Sequence, residues 1–190
     1  MTQSQRLKKA LLKGTKELNK LKIPYVITGG TLLGIYRGGE LLEHDRDVDV
    51  DILEEDVGDT KKFLKKLEKV FPGCIFHNNY FTAQIKVDSG EAVPFDMFIV
   101  FNKGKKRFRW FDGIANTSEE SPCLVWPEHF YYKDRWEKIK FAGRWFPTPA
   151  DIEDYLVIFF GEDWQQPKNP WSWTGGAKNN INYKDIKWIT

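Results

Sequence analysis

Hydrophobic and polar positions alternate most regularly over residues 47–52, where each acidic residue is followed by a β-branched one. This period of two predicts a β-strand whose apolar side chains enter a core while its carboxylates share the opposite face. The acidic side chains that fall in the same phase are Asp45, Asp47, Asp49 and Asp51.

Carboxylates on one face of a strand lie about 6.6 Å apart, which is two residue rises. They repel one another and raise each other's pKa unless a cation lies between them. Oxygen ligands favour Mg²⁺ or Mn²⁺ over zinc. The strand therefore predicts a divalent metal site, and the alternative is the solvated polar face of an edge strand.

Apolar residues recur at helical spacing over residues 1–21, which predicts an amphipathic helix that Gly14 weakens somewhat. A short buried strand over residues 25–28 follows. Gly29 and Gly30 then predict a tight turn, after which Thr31 caps a short helix.

The strand, the glycine turn and the helix start together form a place for phosphate oxygens, because backbone N–H groups are exposed there. Arg37, one turn later, can reach the same anion, and its alternative role is a surface salt bridge.

Further elements follow from the same patterns. Residues 59–70 predict a helix, and residues 74–77, 83–88 and 93–101 predict strands. Residues 139–146 predict a hairpin that turns at Ala142 and Gly143. Thr148 is predicted to cap a last helix, with Pro149 at its first position and Gly161 at its end.

Asp96 is the one acidic residue in the apolar strand over residues 93–101. A lone Asp in a central strand is costly unless it is paired or binds a metal. We therefore expect Asp96 beside Asp47 and Asp49, and the alternative is an Asp that hydrogen-bonds a neighbouring loop. Such a trio can bridge two divalent ions about 3.5–4 Å apart and serve phosphoryl transfer, with Asp96 as general base or bridging ligand.

Two other segments carry unusual composition. Residues 103–109 hold five basic residues, typical of a solvated hairpin tip and also suited to contact a phosphate-bearing acceptor. Residues 163–173 are rich in Trp and Pro, which predicts packing against the body of the protein or a lid over a pocket.

The length of 190 residues predicts a single domain over residues 1–190, with a core at about 22–167 and a tail at 168–190. A net charge of +2 argues against a nucleic-acid-binding protein. Cys74 and Cys123 lack zinc spacing and are expected to be free thiols. No apolar run suits a signal peptide or a membrane-spanning segment, so we expect a cytoplasmic location. No P-loop motif is present.

Residues 29–37, Gly-Gly-Thr-Leu-Leu-Gly-Ile-Tyr-Arg, and residues 44–50, His-Asp-Arg-Asp-Val-Asp-Val, resemble the signature of the LicD and fukutin-related family. The resemblance continues at residues 95–98, Phe-Asp-Met-Phe, and more loosely over residues 146–167. It implies an α/β nucleotidyltransferase (DNA polymerase β-like) fold, with a mixed central sheet flanked by helices.

The resemblance also implies an activity, which is transfer of a substituted phosphate, such as phosphocholine or an alditol phosphate, to a glycan hydroxyl. The donor would be CDP-linked, the acceptor a glycan or glycolipid, and the cofactor Mg²⁺ or Mn²⁺, with two ions expected.

The match assigns roles to individual residues. Asp47, Asp49 and Asp96 are implied to be the catalytic metal ligands. The residues implied to face the donor phosphates, called the phosphate site below, are Gly29, Gly30, Thr31 and Arg37. His44 and Asp45 are implied to flank the metal site.

The chain departs from the family pattern at a few positions. Glu43 and His44 stand where many relatives have Pro-Trp, Arg46 where an acidic residue or His is common, and Asp51 where Gly is common. The donor and acceptor therefore stay open. Two alternatives remain: a nucleotidyltransferase that moves a nucleoside monophosphate to a small molecule or protein, and a non-catalytic scaffold.

Overall fold

The computed structural model describes residues 1–77, 79–88, 90–110, 122–167 and 180–182. The helices are α1 (Gln3–Lys20), α2 (Gly29–Gly38), α3 (Glu54–Val57), α4 (Thr60–Glu68) and α5 (Ile152–Phe160). The strands are β1 (Val26–Ile27), β2 (Val48–Leu53), β3 (Ile75–Phe76), β4 (Tyr80–Asp88), β5 (Glu91–Lys103), β6 (Lys106–Trp110), β7 (Pro122–Pro127), β8 (Glu137–Phe141), β9 (Arg144–Thr148) and β10 (Asn180–Asn182). Helices and strands thus mix along the chain, as predicted for an α/β protein.

The chain divides into two compact units. The first contains Met1–Ile99 and Lys138–Thr148, and the second contains the described residues of Val100–Glu137 and Pro149–Thr190. In the first unit the sheet runs in the order β1, β2, β5, β4, β3. β1 is antiparallel to β2, and β4 is antiparallel to both β3 and β5.

Helix α1 confirms the predicted amphipathic helix and packs against β2 and β4. Its Gly14 lies so close to the sheet that an added Cβ would come within 2.5 Å of the Phe95 ring. The glycine that weakens the isolated helix is therefore the residue that lets α1 approach Phe95.

Strand β2 confirms the predicted strand, but its acidic face is not solvated. All six residues are buried, with 4% of Asp49 and 1% of Asp51 exposed. β2 lies between β1 and β5 in the sheet, and helices α1, α2 and α3 pack against it. The alternative of a polar edge strand is therefore wrong, because tertiary packing covers both faces of a central strand.

In the second unit the end of β5 pairs with β6, β6 with β7, and β7 with β10, all antiparallel. The predicted solvated hairpin tip is wrong for three of its five basic residues, since Lys103, Arg107 and Arg109 are buried. The Arg109 guanidinium lies 5.9 Å from the Trp126 ring and 5.8 Å from the Phe159 ring. Flanking aromatic faces accommodate this buried cation.

The predicted hairpin is confirmed by β8 and β9, which turn at Ala142 and Gly143 with φ values of 48° and 76°. The predicted cap after it is wrong. Thr148 is fully buried as the last residue of β9, and α5 begins only at Ile152, with Asp151 as its N-cap. The strand extends further than the turn pattern indicated, so Pro149 lies before the helix. Gly161 ends α5 as predicted.

Cys74 and Cys123 are free, as expected. Burial raises the pKa of each thiol to about 12, so both stay protonated at neutral pH.

No helix in the described ranges is both long enough and apolar enough to cross a membrane. Of the aromatic tail, Trp164 is buried, whereas the predictions for Trp171 and Trp173 lie outside the described residues.

Candidate active site

Three carboxylates meet in the first unit. Asp47 lies just before β2, Asp49 lies on β2, and Asp96 lies on the adjacent strand β5. One ligand oxygen from each lies within 4.8 Å of the others. Asp49 and Asp96 are buried, and Asp47 is half-buried. The structure therefore brings together the three acidic residues that the sequence singles out, called the acidic cluster below.

Three carboxylates this close in a largely buried place are unfavourable unless a cation neutralises them. The donor set is made of oxygen atoms alone, which suits a hard divalent cation such as Mg²⁺ or Mn²⁺. The acidic cluster is the one group of three or more possible ligands that the described part of the chain contains. The residues present thus fit the ion that the sequence predicts.

The start of helix α2 is fixed to the acidic strand by two hydrogen bonds to the backbone of Asp49. The N–H of Thr28 donates to the carbonyl of Asp49 at 3.3 Å, and the N–H of Asp49 donates to the Thr31 hydroxyl at 3.0 Å. Thr31 is therefore not the helix cap, and that prediction is wrong. The helix already begins at Gly29 after Thr28, so Thr31 lies inside the first turn and its hydroxyl reaches β2.

The prediction of a separate turn at Gly29 and Gly30 is wrong, because both residues lie within α2, at its start. Each glycine nevertheless has a steric reason in the structure. Gly29 has a φ of +56°, a left-handed conformation that glycine adopts without strain. A Cβ on Gly30 would collide with the carboxylate of Asp45. The loop before β2 therefore lies directly against the first turn of α2.

Asp45 lies at the side of the acidic cluster. Burial, followed by the neighbouring Asp47 carboxylate, raises its pKa to about 6, against the lowering effects of His44 and Arg37. Gln3 holds the same residue by donating its side-chain amide to the Asp45 carbonyl at 2.9 Å. Asp51, in phase with the others, pairs with Val26 and is outside the acidic cluster. His44 is exposed.

Three stacked aromatic rings, called the aromatic ladder below, were not predicted. They belong to His77 just after β3, Tyr80 on β4 and Phe98 on β5. The His77 and Tyr80 rings lie 4.9 Å apart at 22°, and the Tyr80 and Phe98 rings 5.1 Å apart at 23°. Phe98 lies two residues after Asp96, so the two share a face of β5. This spacing of two residues in a predicted strand was the sequence pattern from which Phe98 could have been placed beside Asp96.

Comparison with known proteins gives the family. The model of the family described as LicD/FKTN/FKRP, nucleotidyltransferase domain, matches residues 22–151. Human FKTN, a ribitol-5-phosphate transferase, is 22% identical over 173 residues, which are 90% of this chain and 36% of that protein.

Two uncharacterised proteins also match. T07A5.1 of Caenorhabditis elegans is 24% identical over 164 residues, covering 80% of this chain and 41% of that protein. RP689 of Rickettsia prowazekii is 29% identical over 123 residues, covering 64% of this chain and 41% of that protein. The chain thus spans well under half the length of the curated relatives it matches.

Among solved structures, the lincosamide antibiotic adenylyltransferase LnuA with lincomycin bound superimposes with a TM-score of 0.48 and 17% identity, over 78% of this chain and 83% of that chain. The family match covers the residues that hold the acidic cluster and the phosphate site. It confirms the predicted family and, through the domain named in it, the predicted nucleotidyltransferase fold. The chain belongs to the LicD/FKTN/FKRP family.

Proposed function

We propose that this chain is a metal-dependent phosphotransferase. It moves a substituted phosphate, of the phosphocholine or alditol-phosphate kind, from a CDP-linked donor to a hydroxyl of a glycan. The observation that carries the proposal is the meeting of Asp47, Asp49 and Asp96 within 4.8 Å in a member of the LicD/FKTN/FKRP family. A relative, human FKTN, bears the name of a ribitol-5-phosphate transferase.

The acidic cluster would hold Mg²⁺ or Mn²⁺, and we propose two ions, the number expected from the sequence. A bound divalent ion supplies neutralisation of the phosphate charge and lowers the pKa of the attacking hydroxyl. Asp47 and Asp49 offer ligand oxygens from one strand, and Asp96 faces them from the next. Asp96 can complete the ligand set or accept the proton of the acceptor hydroxyl.

The phosphate site would receive the donor diphosphate at the N-terminus of α2. Backbone N–H groups and the helix dipole favour an anion at that end of a helix. Gly29 and Gly30 leave the first two residues of α2 without side chains, and Arg37 adds a positive charge within electrostatic reach of Asp45. Thr31 would not contact the phosphate through its side chain, because its buried hydroxyl accepts the hydrogen bond from the backbone N–H of Asp49.

The test is to incubate the protein with CDP-choline, CDP-ribitol, CTP and ATP, each with a mixture of glycan acceptors and Mg²⁺, and to identify the nucleotide product. We expect CMP from a CDP-linked donor and its loss in Asp49→Asn. Asp88→Asn is the matched control, because Asp88 is an exposed carboxylate of the same unit whose Lys9 contact is 3.9 Å long.

One observation favours a second candidate, which is transfer of a nucleoside monophosphate: the matched domain is itself described as a nucleotidyltransferase domain. The two reactions differ in which phosphorus atom is attacked. Release of pyrophosphate from CTP or ATP without CMP from any CDP-linked donor would establish the second candidate and exclude the first. A protein whose melting temperature responds to neither Mg²⁺ nor any nucleotide would instead be a scaffold.

A further inference from the structure

The face of the first sheet that carries Asp96 continues sideways onto β4 and β3. Thr82 lies opposite Asp96 and Tyr80 opposite Phe98, while Ile75 of β3 lies opposite Thr82. Residues directly opposite each other in antiparallel strands project from the same face. The part of this face from Asp96 outward to β3 is called the ladder face below, and its residues are Ile75, His77, Tyr80, Thr82, Asp96 and Phe98.

The reverse face of the same strands is closed. Phe81 and Met97 are fully buried there, and the Phe63 ring of α4 lies 5.2 Å from the Phe81 ring. On the ladder face, by contrast, 56% of Ile75 is exposed and His77 is exposed as well. The ladder face is therefore open to solvent at its outer end, whereas α4 covers the reverse face.

The aromatic ladder gives this surface a defined shape. The planes of neighbouring rings are within 23° of parallel. The first ring, that of Phe98, lies two residues from Asp96, which is about 6.6 Å along β5. Phe98 is buried, Tyr80 is half-buried and His77 is exposed, so the outer rings are accessible while the inner one supports them.

The ladder and the phosphate site adjoin different strands of the acidic cluster. Helix α2 packs against β2, on one side of the β2–β5 pair, whereas β4 and β3 extend from β5 on the other side. In phosphoryl transfer the attacking and leaving oxygens are roughly in line. A donor whose diphosphate lies at α2, with CMP as the leaving group, is therefore attacked from the β5 and β4 side.

We propose that His77 and Tyr80 form the platform on which a sugar ring of the acceptor glycan stacks. This inference rests on the proposed function for the identity of the acceptor. Aromatic faces pack against the C–H face of a sugar ring, and the tips of Tyr and His can hydrogen-bond its hydroxyls. Of the six residues of the ladder face only Asp96 is an acid, and the nearest cation on the same side of β4, Lys86, lies four residues beyond Thr82. The surface around the rings therefore suits an uncharged ring better than a nucleic acid or an anionic lipid.

Saturation-transfer NMR with methyl glycosides of neutral hexoses and N-acetylhexosamines, recorded without donor, tests the platform directly. We expect transfer to the C–H protons of at least one glycoside with the wild-type protein. Tyr80→Ala and the surface variant His77→Ala should weaken binding about tenfold, which corresponds to ~1.4 kcal/mol. Tyr80→Phe should retain most of it. Trp145→Ala is the matched control, since Trp145 is 63% exposed on the separate β8–β9 hairpin.

CMP and CDP serve as the second probes in the same experiment. If Tyr80→Ala and His77→Ala weaken CMP binding and leave glycoside binding unchanged, the ladder holds the nucleobase and the inference is wrong. Absence of glycoside binding to the wild-type protein, or equal binding by all variants, would also overturn it. The proposed function itself fails in a different experiment, the nucleotide assay, if pyrophosphate is released from CTP or ATP and no CMP is released from a CDP-linked donor.

Discussion

The backbone N–H of Asp49 donates a hydrogen bond to the side-chain hydroxyl of Thr31, with 3.0 Å between nitrogen and oxygen. Both residues are buried, and they belong to different elements of the first unit. The contact fixes Asp49, a candidate metal ligand, to the helix whose first turn is part of the proposed phosphate site. Positioning of this kind is what phosphoryl transfer requires most from a protein.

Thr31→Val is expected to destabilise the protein by about 1–3 kcal/mol, because it leaves the buried N–H of Asp49 without its acceptor. Mn²⁺ affinity should fall about tenfold or more, since the residue that supports a ligand is lost. Denaturant unfolding and Mn²⁺ titration by calorimetry measure the two effects. Thr31→Ser keeps the hydroxyl and is the control; a Thr31→Val protein with wild-type Mn²⁺ affinity would show that the contact serves stability alone.

Asp49→Asn is expected to reduce turnover by at least about 10³-fold, the equivalent of losing several kcal/mol of charge stabilisation at the reacting phosphate. Its melting temperature without divalent ions should equal or exceed that of the wild type, because one of three crowded carboxylates loses its charge.

Thermal unfolding with and without Mn²⁺ separates binding from stability for this variant. The wild-type protein should gain stability with Mn²⁺, as any ligand that binds the folded state provides, and Asp49→Asn should gain little. Turnover within a few fold of the wild type would show that the carboxylate is not a metal ligand.

The positions of the acidic cluster could be predicted because local patterns determine them. Strict alternation fixes which side chains of β2 share a face, and a lone Asp in an apolar strand demands a partner. The need for glycine at positions 29 and 30 could likewise be predicted, although the two residues begin helix α2 and do not form a separate turn. The structure explains why glycine is required at both positions, since Gly29 has a positive φ and Gly30 lies against Asp45.

Other features depend on packing between elements and leave no local pattern. Thr31 has the composition of a helix cap, but the helix starts two residues earlier and the hydroxyl bonds to a strand distant in sequence. Arg109 belongs to a basic run that looks solvated, yet it is buried between the rings of Trp126 and Phe159. Which rings lie next to it depends on the pairing of β6 with β7, which no local window contains.

Gly30→Ala is expected to cost about 1–3 kcal/mol, because the added methyl collides with the Asp45 carboxylate in a packed site. The double variant Gly30→Ala with Asp45→Ala should recover part of this loss, which chemical denaturation of the four proteins measures as a coupling energy. Gly38→Ala is the matched control in the same helix, since a Cβ there has nothing within 4 Å. Equal losses for both glycine variants would contradict the assigned contact.

The raised pKa of Asp45 predicts how stability changes with pH when divalent ions are chelated. A carboxyl whose pKa moves from 3.8 to about 6 on folding takes up a proton as the chain folds. Its stabilising contribution is therefore fully present below pH 3.8 and is lost as the pH rises through about 6. The amide side chain that the Asp45→Asn variant carries at this position does not titrate. The free energy of unfolding of this variant should therefore exceed that of the wild type by a margin that grows from about pH 4 to about pH 7. The upper limit of the margin is ~3 kcal/mol, and solvent screening reduces it. Urea unfolding of both proteins in EDTA across this range measures the margin, and a margin independent of pH would show that Asp45 keeps an ordinary pKa.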